Sequence, residues 1–191
     1  MTDNFLNLFG NYVKLTKSDI EFFNKYFVLK SMQKNTIVEE ENKVPKHLYF
    51  ITKGFMRLFY YDNNGEEITT LIASPNKFIT SFLNFIHEKK STENLECVTN
   101  CEFYEIERGK LLELIDKNEN FKKFSLVIFE QAIATTQIRA NDFATLTANS
   151  RYMKLIKQHP EIIQNVPIQH IASYLGIKPQ SLSRIRKHLI K

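Results

Sequence analysis

The spacing of the hydrophobic residues changes twice along the chain, and each change marks a new kind of structure. Residues 16–27 carry apolar side chains at helical spacing after Thr16 and Ser18, either of which can cap a helix. Residues 36–106 form short alternating runs rich in Phe, Tyr, Ile and Thr, with turn signals between them. After residue 106 the spacing becomes helical again, and residues 110–159 contain no Gly or Pro. This order predicts an α+β chain whose many short strands form an antiparallel jelly roll.

Three details within the strand-rich part refine this prediction. Asn64-Gly65 lies between two alternating runs and is typical of a tight hairpin turn. Residues 78–86 interrupt the strand pattern and are expected to form a short helix. Cys97 and Cys101 fall in a run interpreted as one strand, where they lie on the same face but too far apart to bridge easily. We therefore expect two small buried apolar residues there, and no disulfide or metal site.

The helical stretch predicts a short helix at residues 110–115 and a long one at residues 120–146. In the long helix, two sets of residues recur every seven positions, as in the seam of a coiled coil. The first set is Leu126, Ile133 and Ala140, and the second is Phe129, Thr136 and Phe143. A second apolar face lies beside this seam, so one face is expected to pack on the β domain. The other face would meet either the same helix of a second copy or the core of its own chain.

The last segment, residues 168–191, reads as two short helices joined by a tight turn at Gly176. Each helix has one apolar stripe, and the small side chain of Ala172 would let the two helices cross closely. The stripes consist of Ile168, Ile171, Ala172 and Leu175, followed by Ile177, Leu182, Ile185 and Leu189. Pro179 suits the first turn of the second helix because its missing N–H would be unpaired there anyway. This pattern predicts a helix-turn-helix.

Hydrogen-bonding and cationic side chains remain on the outer side of the second helix, at a spacing that a DNA major groove can accept. They are Lys178, Gln180, Ser181, Ser183, Arg184, Lys187 and His188. Residues 151–191 carry eight Lys or Arg and one acid, a net charge of +7, whereas the whole chain carries +5. This segregation of positive charge favours a segment that meets phosphates. An ordinary amphipathic hairpin with a solvated charged face is the alternative.

Composition excludes several other classes of protein. The 191 residues are 43% hydrophobic, as in a globular chain, and no apolar run reaches the length of a membrane span. The first ten residues do not resemble a signal peptide, so we expect a cytoplasmic protein without membrane contact. The five His lack metal-ligating spacing and the five Gly form no phosphate-binding loop, which argues against an enzyme, a metal and a cofactor.

Two stretches resemble the Crp/Fnr family of bacterial transcription regulators. IASYLGIKPQSLSRI is similar to the family's helix-turn-helix, and LYFITKGFMRLFYYDNNGEE to its strand and hairpin signature around Gly54 and Gly65. The resemblance implies a cyclic-nucleotide-binding-like jelly roll at residues 1–118, a long dimerisation helix at 119–148 and a DNA-binding domain at 149–191. It also implies a homodimer on inverted-repeat DNA that contacts RNA polymerase.

Carried over from the family, the DNA-contacting positions fall on Pro179, Gln180 and Arg184. Proline has no side-chain donor, but an amide can pair with adenine and a guanidinium with guanine. Lys178, where the family usually has a capping serine, is better placed for phosphate, as are Ser181, Ser183 and Lys187.

The positions where the family holds the ribose and cyclic phosphate of a nucleotide fall on Ser81 and Ser91. Neither hydroxyl can offset a buried phosphate charge, so we expect no binding of cAMP in the usual way. A pocket of Thr80, Ser81, Ser91 and Thr92 would suit a smaller or less charged effector, or none. The alternative function is a β module that binds a small molecule or protein and whose basic hairpin docks a partner other than DNA.

Overall fold

The computed structural model describes residues 3–189, without the side chains of Asp3 and Leu189. The apolar position predicted at Leu189, and residues 190–191 of the predicted C-terminal domain, therefore lie outside the described side chains.

Two four-stranded antiparallel sheets form the β domain and confirm the predicted jelly roll. Their strands are β1 (Val28–Met32), β2 (Ile37–Glu39), β3 (His47–Lys53), β4 (Met56–Tyr61), β5 (Glu67–Ala73), β6 (Phe78–Ile79), β7 (Asn94–Cys97) and β8 (Cys101–Glu107). One sheet has the order β1-β8-β3-β6 and the other the order β2-β7-β4-β5. The hairpin between β4 and β5 turns at Gly65, whose φ is +76°, as the Asn-Gly signal predicted.

The strand assignments from sequence need correction at two points. The sheet begins at Val28, before the predicted start, because β1 pairs with β8 along the edge. Phe78 and Ile79 belong to a strand and not to a helix, since they pair with Phe50 and Tyr49 of β3. The predicted helix follows as α3 (Phe82–His87).

Cys97 and Cys101 lie in two strands, one at the end of β7 and the other at the start of β8. The chain turns between them, so the interpretation as one extended strand was wrong. Both thiols are free and buried, which confirms the expectation of small core residues.

Nine helices are seen within residues 3–189. They are α1 (Asp3–Gly10), α2 (Lys17–Tyr26), α3, α4 (Arg108–Lys117), α5 (Glu119–Thr145), α6 (Ala148–Gln158), α7 (Pro160–Asn165), α8 (Ile168–Tyr174) and α9 (Pro179–Leu189). The first of these was not predicted. Its Phe5 and Phe9 are fully buried and stand one helical turn apart, so they enter the core together.

An aromatic core joins α1, α2 and the start of α5 to one sheet. Phe5 contacts Phe23 and Phe50 at ring-centre distances of 4.2 and 5.2 Å, and Phe9 contacts Phe121 and Phe124 at 4.9 and 4.8 Å. Burying each such ring contributes about 1.5–3 kcal/mol. This core fixes where the long helix leaves the β domain.

Polar contacts fix the start of α5 in the same place. Asn118 caps the helix by accepting a hydrogen bond from the N–H of Phe121 at 3.0 Å. Its side-chain amide donates to the buried carboxylate of Asp19 in α2 at 2.8 Å, and the amide of Asn120 donates to the same carboxylate at 2.9 Å. Asp19 also closes a capping box with Thr16 at the start of α2. The second half of α5 leaves this core and is largely exposed.

A separate apolar cluster holds α6 to α9 together. Its buried members are Tyr152, Leu155, Ile162, Val166, Ile171, Ala172, Leu175 and Leu182, with Phe55, Ile72 and Val98 from the β domain. The C-terminal helices therefore pack on the β domain as well as on one another.

Candidate nucleic-acid interface

The turn between α8 and α9 requires glycine for two independent reasons. Gly176 has a φ of +68°, a conformation that side-chain-bearing residues rarely adopt. A Cβ at this position would also lie 2.6 Å from a ring carbon of Phe143 in α5. Ala172 is fully buried where α8 meets its neighbours. These features set α9 across α8 in the predicted helix-turn-helix arrangement.

Helix α9 presents its polar side chains outward, as the sequence predicted. Leu182 is buried and Ile185 packs partly against the same cluster, while Gln180, Arg184 and Lys187 are exposed. The three exposed residues follow the spacing i, i+4, i+7 and so share one face of the helix. Among the flanking positions, Ser181 is exposed and Ser183 is half-buried. The structure thus places an amide, a guanidinium and an ammonium in one accessible row.

Lys178, in the turn before α9, is engaged by the β domain. Its ammonium lies 2.7 Å from a carboxylate oxygen of Glu66, in the hairpin between β4 and β5. Close by, the hydroxyl of Ser173 in α8 donates to the carbonyl of Glu67 at 2.8 Å and accepts from the N–H of Thr69 at 2.8 Å. The hairpin therefore holds the C-terminal domain through its backbone and one ion pair.

A charged network lies in the sheet near this contact. Arg57 is almost fully buried, and its guanidinium donates to Glu96 at 2.6 Å, to the Thr69 hydroxyl at 3.1 Å and to the carboxylate of Glu67. Burial, and then the positive charge of Arg57, lower the pKa of His170 in α8 to about 4. Helix α8 is thus electrostatically coupled to the β domain.

The residues of the predicted effector pocket are only partly brought together. Thr80, Ser81 and Ser91 are buried, but Thr92 is exposed. The hydroxyl of Thr80 has no hydrogen-bond partner within the described part of the chain. Ser91 makes a local turn, donating to the carbonyl of Glu93 at 3.0 Å and accepting from its N–H at 2.9 Å.

Glu93, which sequence reasoning missed, dominates this region. Its carboxylate accepts hydrogen bonds from the hydroxyl of Ser81 at 3.0 Å and from that of Thr70 in β5. No Lys or Arg within residues 3–189 forms an ion pair with it. The carboxylate of Glu93 thus lies beside Ser81, the position that the resemblance assigns to the ribose, while Ser91, the position assigned to the cyclic phosphate, offers a hydroxyl and no positive charge. In the sequence, the only sign of this carboxylate was an acidic residue two positions after Ser91.

The residues predicted for the dimer seam separate into two groups. Leu126 and Ile133 are 57% and 68% exposed, and Ala140 is exposed as well. Phe129 is partly buried, with its ring centre 6.2 Å from that of Phe82 in α3. Phe143 packs within its own chain against Gly176, although 40% of it stays exposed.

Two negative observations apply to the described part of the chain. No group of three or more His, Cys, Asp or Glu residues there is arranged to hold a metal ion. None of the described helices is both long and apolar enough to span a bilayer.

Comparison with known proteins agrees with the architecture. A family model described as a cyclic nucleotide-binding domain matches residues 29–118. The cAMP-activated global transcriptional regulator CRP of Escherichia coli is 24% identical over 178 residues, which cover 88% of this chain and 84% of that protein. The protein of the same name from Haemophilus influenzae is 25% identical over 152 residues, covering 74% of this chain and 68% of that protein.

Solved structures share the fold. FixK2 from Bradyrhizobium japonicum superposes with a TM-score of 0.72 at 13% identity, covering 85% of this chain and 84% of that chain. CLP from Xanthomonas campestris, described as a c-di-GMP responsive global regulator, superposes with a TM-score of 0.70 at 19% identity and 91% coverage of both chains.

A cyclic-nucleotide-type jelly roll, a long connecting helix and a C-terminal helix-turn-helix together define a class of modular transcription regulators. Within that class, the sequence and fold of the chain are those of a Crp/Fnr-type regulator. The relatives are transcription regulators, which confirms the expectation that this chain is not an enzyme.

Proposed function

We propose that this regulator binds an inverted-repeat DNA site as a homodimer and reads base edges with α9. The observation that carries this proposal is the exposed row of Gln180, Arg184 and Lys187 on a helix whose other side is held by Leu182. The amide of Gln180 matches adenine and the guanidinium of Arg184 matches guanine. Ser181, Ser183 and Lys187 would contact phosphates, and Lys178 would do so by exchanging its exposed ion pair with Glu66 for a phosphate. Contact with RNA polymerase stays a prediction.

The three-part division at residues 118 and 148 belongs to the same proposal. It is supported by the capped start of α5 at Asn118 and by its end at Thr145.

The exposed face of α5 supports the homodimer. Leu126 and Ile133 are 57% and 68% exposed, and Leu83 on the neighbouring α3 is 70% exposed. Leu126 and Ile133 lie two turns apart on one face of α5, and exposed apolar side chains along one face favour an interface. A two-fold axis along α5 would bring them together and set the two α9 helices roughly 34–36 Å apart, one turn of DNA. Because Phe143 packs on Gly176, the contact would rest mainly on Leu126, Ile133 and Ala140.

Selection of bound DNA from a random pool, followed by a gel shift over a series of salt concentrations, tests the DNA part. We expect enrichment of a palindrome and an affinity that falls steeply with salt. If the pool yields no enriched sequence, or the enriched site has no internal symmetry, the proposal is wrong. The absence of any enriched sequence is the result expected if the basic hairpin docks another protein instead of DNA.

Sedimentation tests the homodimer separately. We expect a dimer at micromolar concentration, and a shift towards monomer for Ile133→Glu because a buried unpaired charge is costly. Lys123→Glu, an exposed change on the same helix, serves as the control. A wild-type chain that stays monomeric both alone and with DNA would contradict the proposal.

We also propose that the β domain does not bind cAMP or cGMP in the family's usual way. The uncharged hydroxyl of Ser91 supports this, because it makes a local turn with the backbone of Glu93 and cannot offset the charge of a cyclic phosphate. Calorimetry with either nucleotide should give no saturable heat. Micromolar binding that disappears when Ser81 or Ser91 is replaced by a bulky residue would refute this part.

A further inference from the structure

A cleft of about 180 Å³ lies between α5 and the C-terminal domain. A cavity needs only about 10–15 Å³ to admit a single water, so this cleft has room for a small metabolite. It is rich in charged and aromatic side chains. They include Arg139, Asp142 and Phe143 of α5, Arg151 and Lys154 of α6, and Tyr174 of α8.

Arg139 enters the cleft without an acidic partner. Its guanidinium lies 4.0 Å from the ring centre of Tyr174 and 4.7 Å from that of Phe143, and donates to the carbonyl of Thr69 at 3.3 Å. Within residues 3–189, no carboxylate forms an ion pair with it. Burial lowers the pKa of this guanidinium, and the like charge of Arg151 lowers it further, while Tyr174 and the more distant carboxylate of Asp142 act in the opposite direction. The positive charge of Arg139 is thus desolvated and has no carboxylate in an ion pair.

Arg151 supplies a second such charge. Its guanidinium makes three hydrogen bonds, all to backbone carbonyls, one to Leu146 at 2.7 Å and two to Leu175 at 2.8 and 3.2 Å. It also lies 4.5 Å from the ring centre of Phe143. The described part of the chain again offers it no carboxylate in an ion pair. Two guanidiniums therefore share one aromatic ring without an anion between them.

The third cation of the cleft is already balanced. The ammonium of Lys154 lies 2.6 and 2.7 Å from the two carboxylate oxygens of Asp142. The charges of Lys154 and Asp142 cancel, so the two arginines give the partly desolvated cleft a net positive charge. Such charges are expensive to leave uncompensated, and an arginine fork matches the geometry of carboxylate and phosphate.

The cleft would stay open in the proposed dimer. Besides Phe143, its lining residues on α5 are Thr135, Ile138, Arg139 and Asp142, at the spacing i, i+3, i+4, i+7 of one helical face. At about 100° per residue, this face lies roughly opposite that of Leu126, Ile133 and Ala140.

We propose that this cleft is a binding site for a small organic anion, whose carboxylate or phosphate group sits on Arg139 and Arg151. Its carbon skeleton would lie against Ile138 and Leu155, the apolar part of the lining. Because Arg139 belongs to α5 and Arg151 to the C-terminal domain, the ligand would link the two. It would thereby favour the placement of the helix-turn-helix seen here over any other. The binding site itself does not depend on the proposed DNA function.

Thermal unfolding of the full chain, followed by circular dichroism without DNA, tests the site. The probes are succinate and benzoate as carboxylates, and inorganic phosphate and glycerol 3-phosphate as phosphates, each against sodium chloride at the same ionic strength. We expect the melting temperature to rise with the concentration of at least one probe until it reaches a plateau. Whether that probe is a carboxylate or a phosphate identifies the class of anion. In Arg139→Gln, the half-saturating concentration of that probe should rise by about tenfold or more. The exposed control Lys123→Gln should respond like the wild type.

A second variant keeps the test decisive if Arg139→Gln fails to fold. Thr135→Glu places a carboxylate one turn before Arg139, where it can form an i, i+4 ion pair inside the cleft. This variant should melt at a higher temperature without any probe and should no longer respond to the effective probe. The proposal is overturned if no probe exceeds sodium chloride. It is also overturned if either cleft variant keeps the wild-type response.

Discussion

Two arginines donate hydrogen bonds to different atoms of Thr69, and their charges have different surroundings. Arg57, in the sheet, donates to the Thr69 hydroxyl at 3.1 Å and is neutralised by Glu96 and Glu67. Arg139, on α5, donates to the Thr69 carbonyl at 3.3 Å and stacks on aromatic rings.

Arg57 therefore carries a structural charge, which is paired within the fold, whereas Arg139 carries a charge that a ligand can still use. The carboxylates around Arg57 already use its charge, so the group can stabilise the sheet but has little to offer a ligand. Aromatic faces and carbonyl oxygens carry only partial negative charge, so Arg139 can still attract an anion. Because the two arginines meet at one residue of β5, which also binds Ser173, either could influence where the C-terminal domain sits.

The largest effect is expected from Arg57→Met. The substitution leaves Glu96 and Glu67 without their cation, so the free energy of unfolding should fall by about 3–5 kcal/mol. Urea denaturation measures this. Lys53→Met, which removes an exposed ion pair with Glu102 in the same domain, should cost at most about 1 kcal/mol. Similar losses in both variants would show that Arg57 is not the structural charge described here.

The next largest effect concerns the accessible charges of α9. Arg184→Ala should weaken binding to the selected DNA site by about 1–3 kcal/mol and relax the preference at one base pair of each half-site. Lys187→Ala should weaken binding to all sequences about equally and reduce the salt slope by about one. Competition gel shifts with point-substituted sites distinguish the two. An equal loss on every site for Arg184→Ala would reassign this residue to phosphate contact.

Acid should loosen the contact between α8 and the sheet through His170. Its folded pKa of about 4 lies below the ordinary value of 6.5, so the neutral form is favoured in the folded state. The neutral His170 therefore leaves the free energy of unfolding at its full value above about pH 6.5. As the pH falls towards 4, the unfolded state takes up a proton that the folded state does not, and the free energy of unfolding decreases by less than about 1.4 kcal/mol per pH unit. Urea midpoints over this range should fall less steeply for His170→Gln. Parallel curves for the two proteins would exclude the effect.

The smallest effect on stability is expected from Arg139→Met. No carboxylate is left unpaired, so the cost should be about 1 kcal/mol, mainly from lost stacking on Tyr174 and Phe143. The same urea experiment measures it beside Arg57→Met. A loss as large as that of Arg57→Met would mean that the charge of Arg139 is already used within the fold.

The sequence alone determined the features that depend on local periodicity and turn chemistry. The jelly roll, the hairpin at Gly65, the long helix and the helix-turn-helix around Gly176 follow from apolar spacing and backbone preference, which act within a few residues. Helix α1 was missed although Phe5 and Phe9 carried a signal, because two apolar residues one turn apart are too short a pattern to separate helix from loop.

Tertiary structure decided the rest, because it brought together residues that are far apart in sequence. Phe143 fits the heptad of α5, yet the turn at Gly176 places the C-terminal domain against it. Glu93 appears in the sequence as an ordinary acid just before a strand, and only the folded chain brings the hydroxyls of Ser81 and Thr70 to its carboxylate. Arg57 and Arg139 look alike in the sequence, and only the folded chain gives one of them two carboxylates and the other two aromatic rings. The energy of a charge depends on its neighbours in space, and spacing along the chain does not specify them.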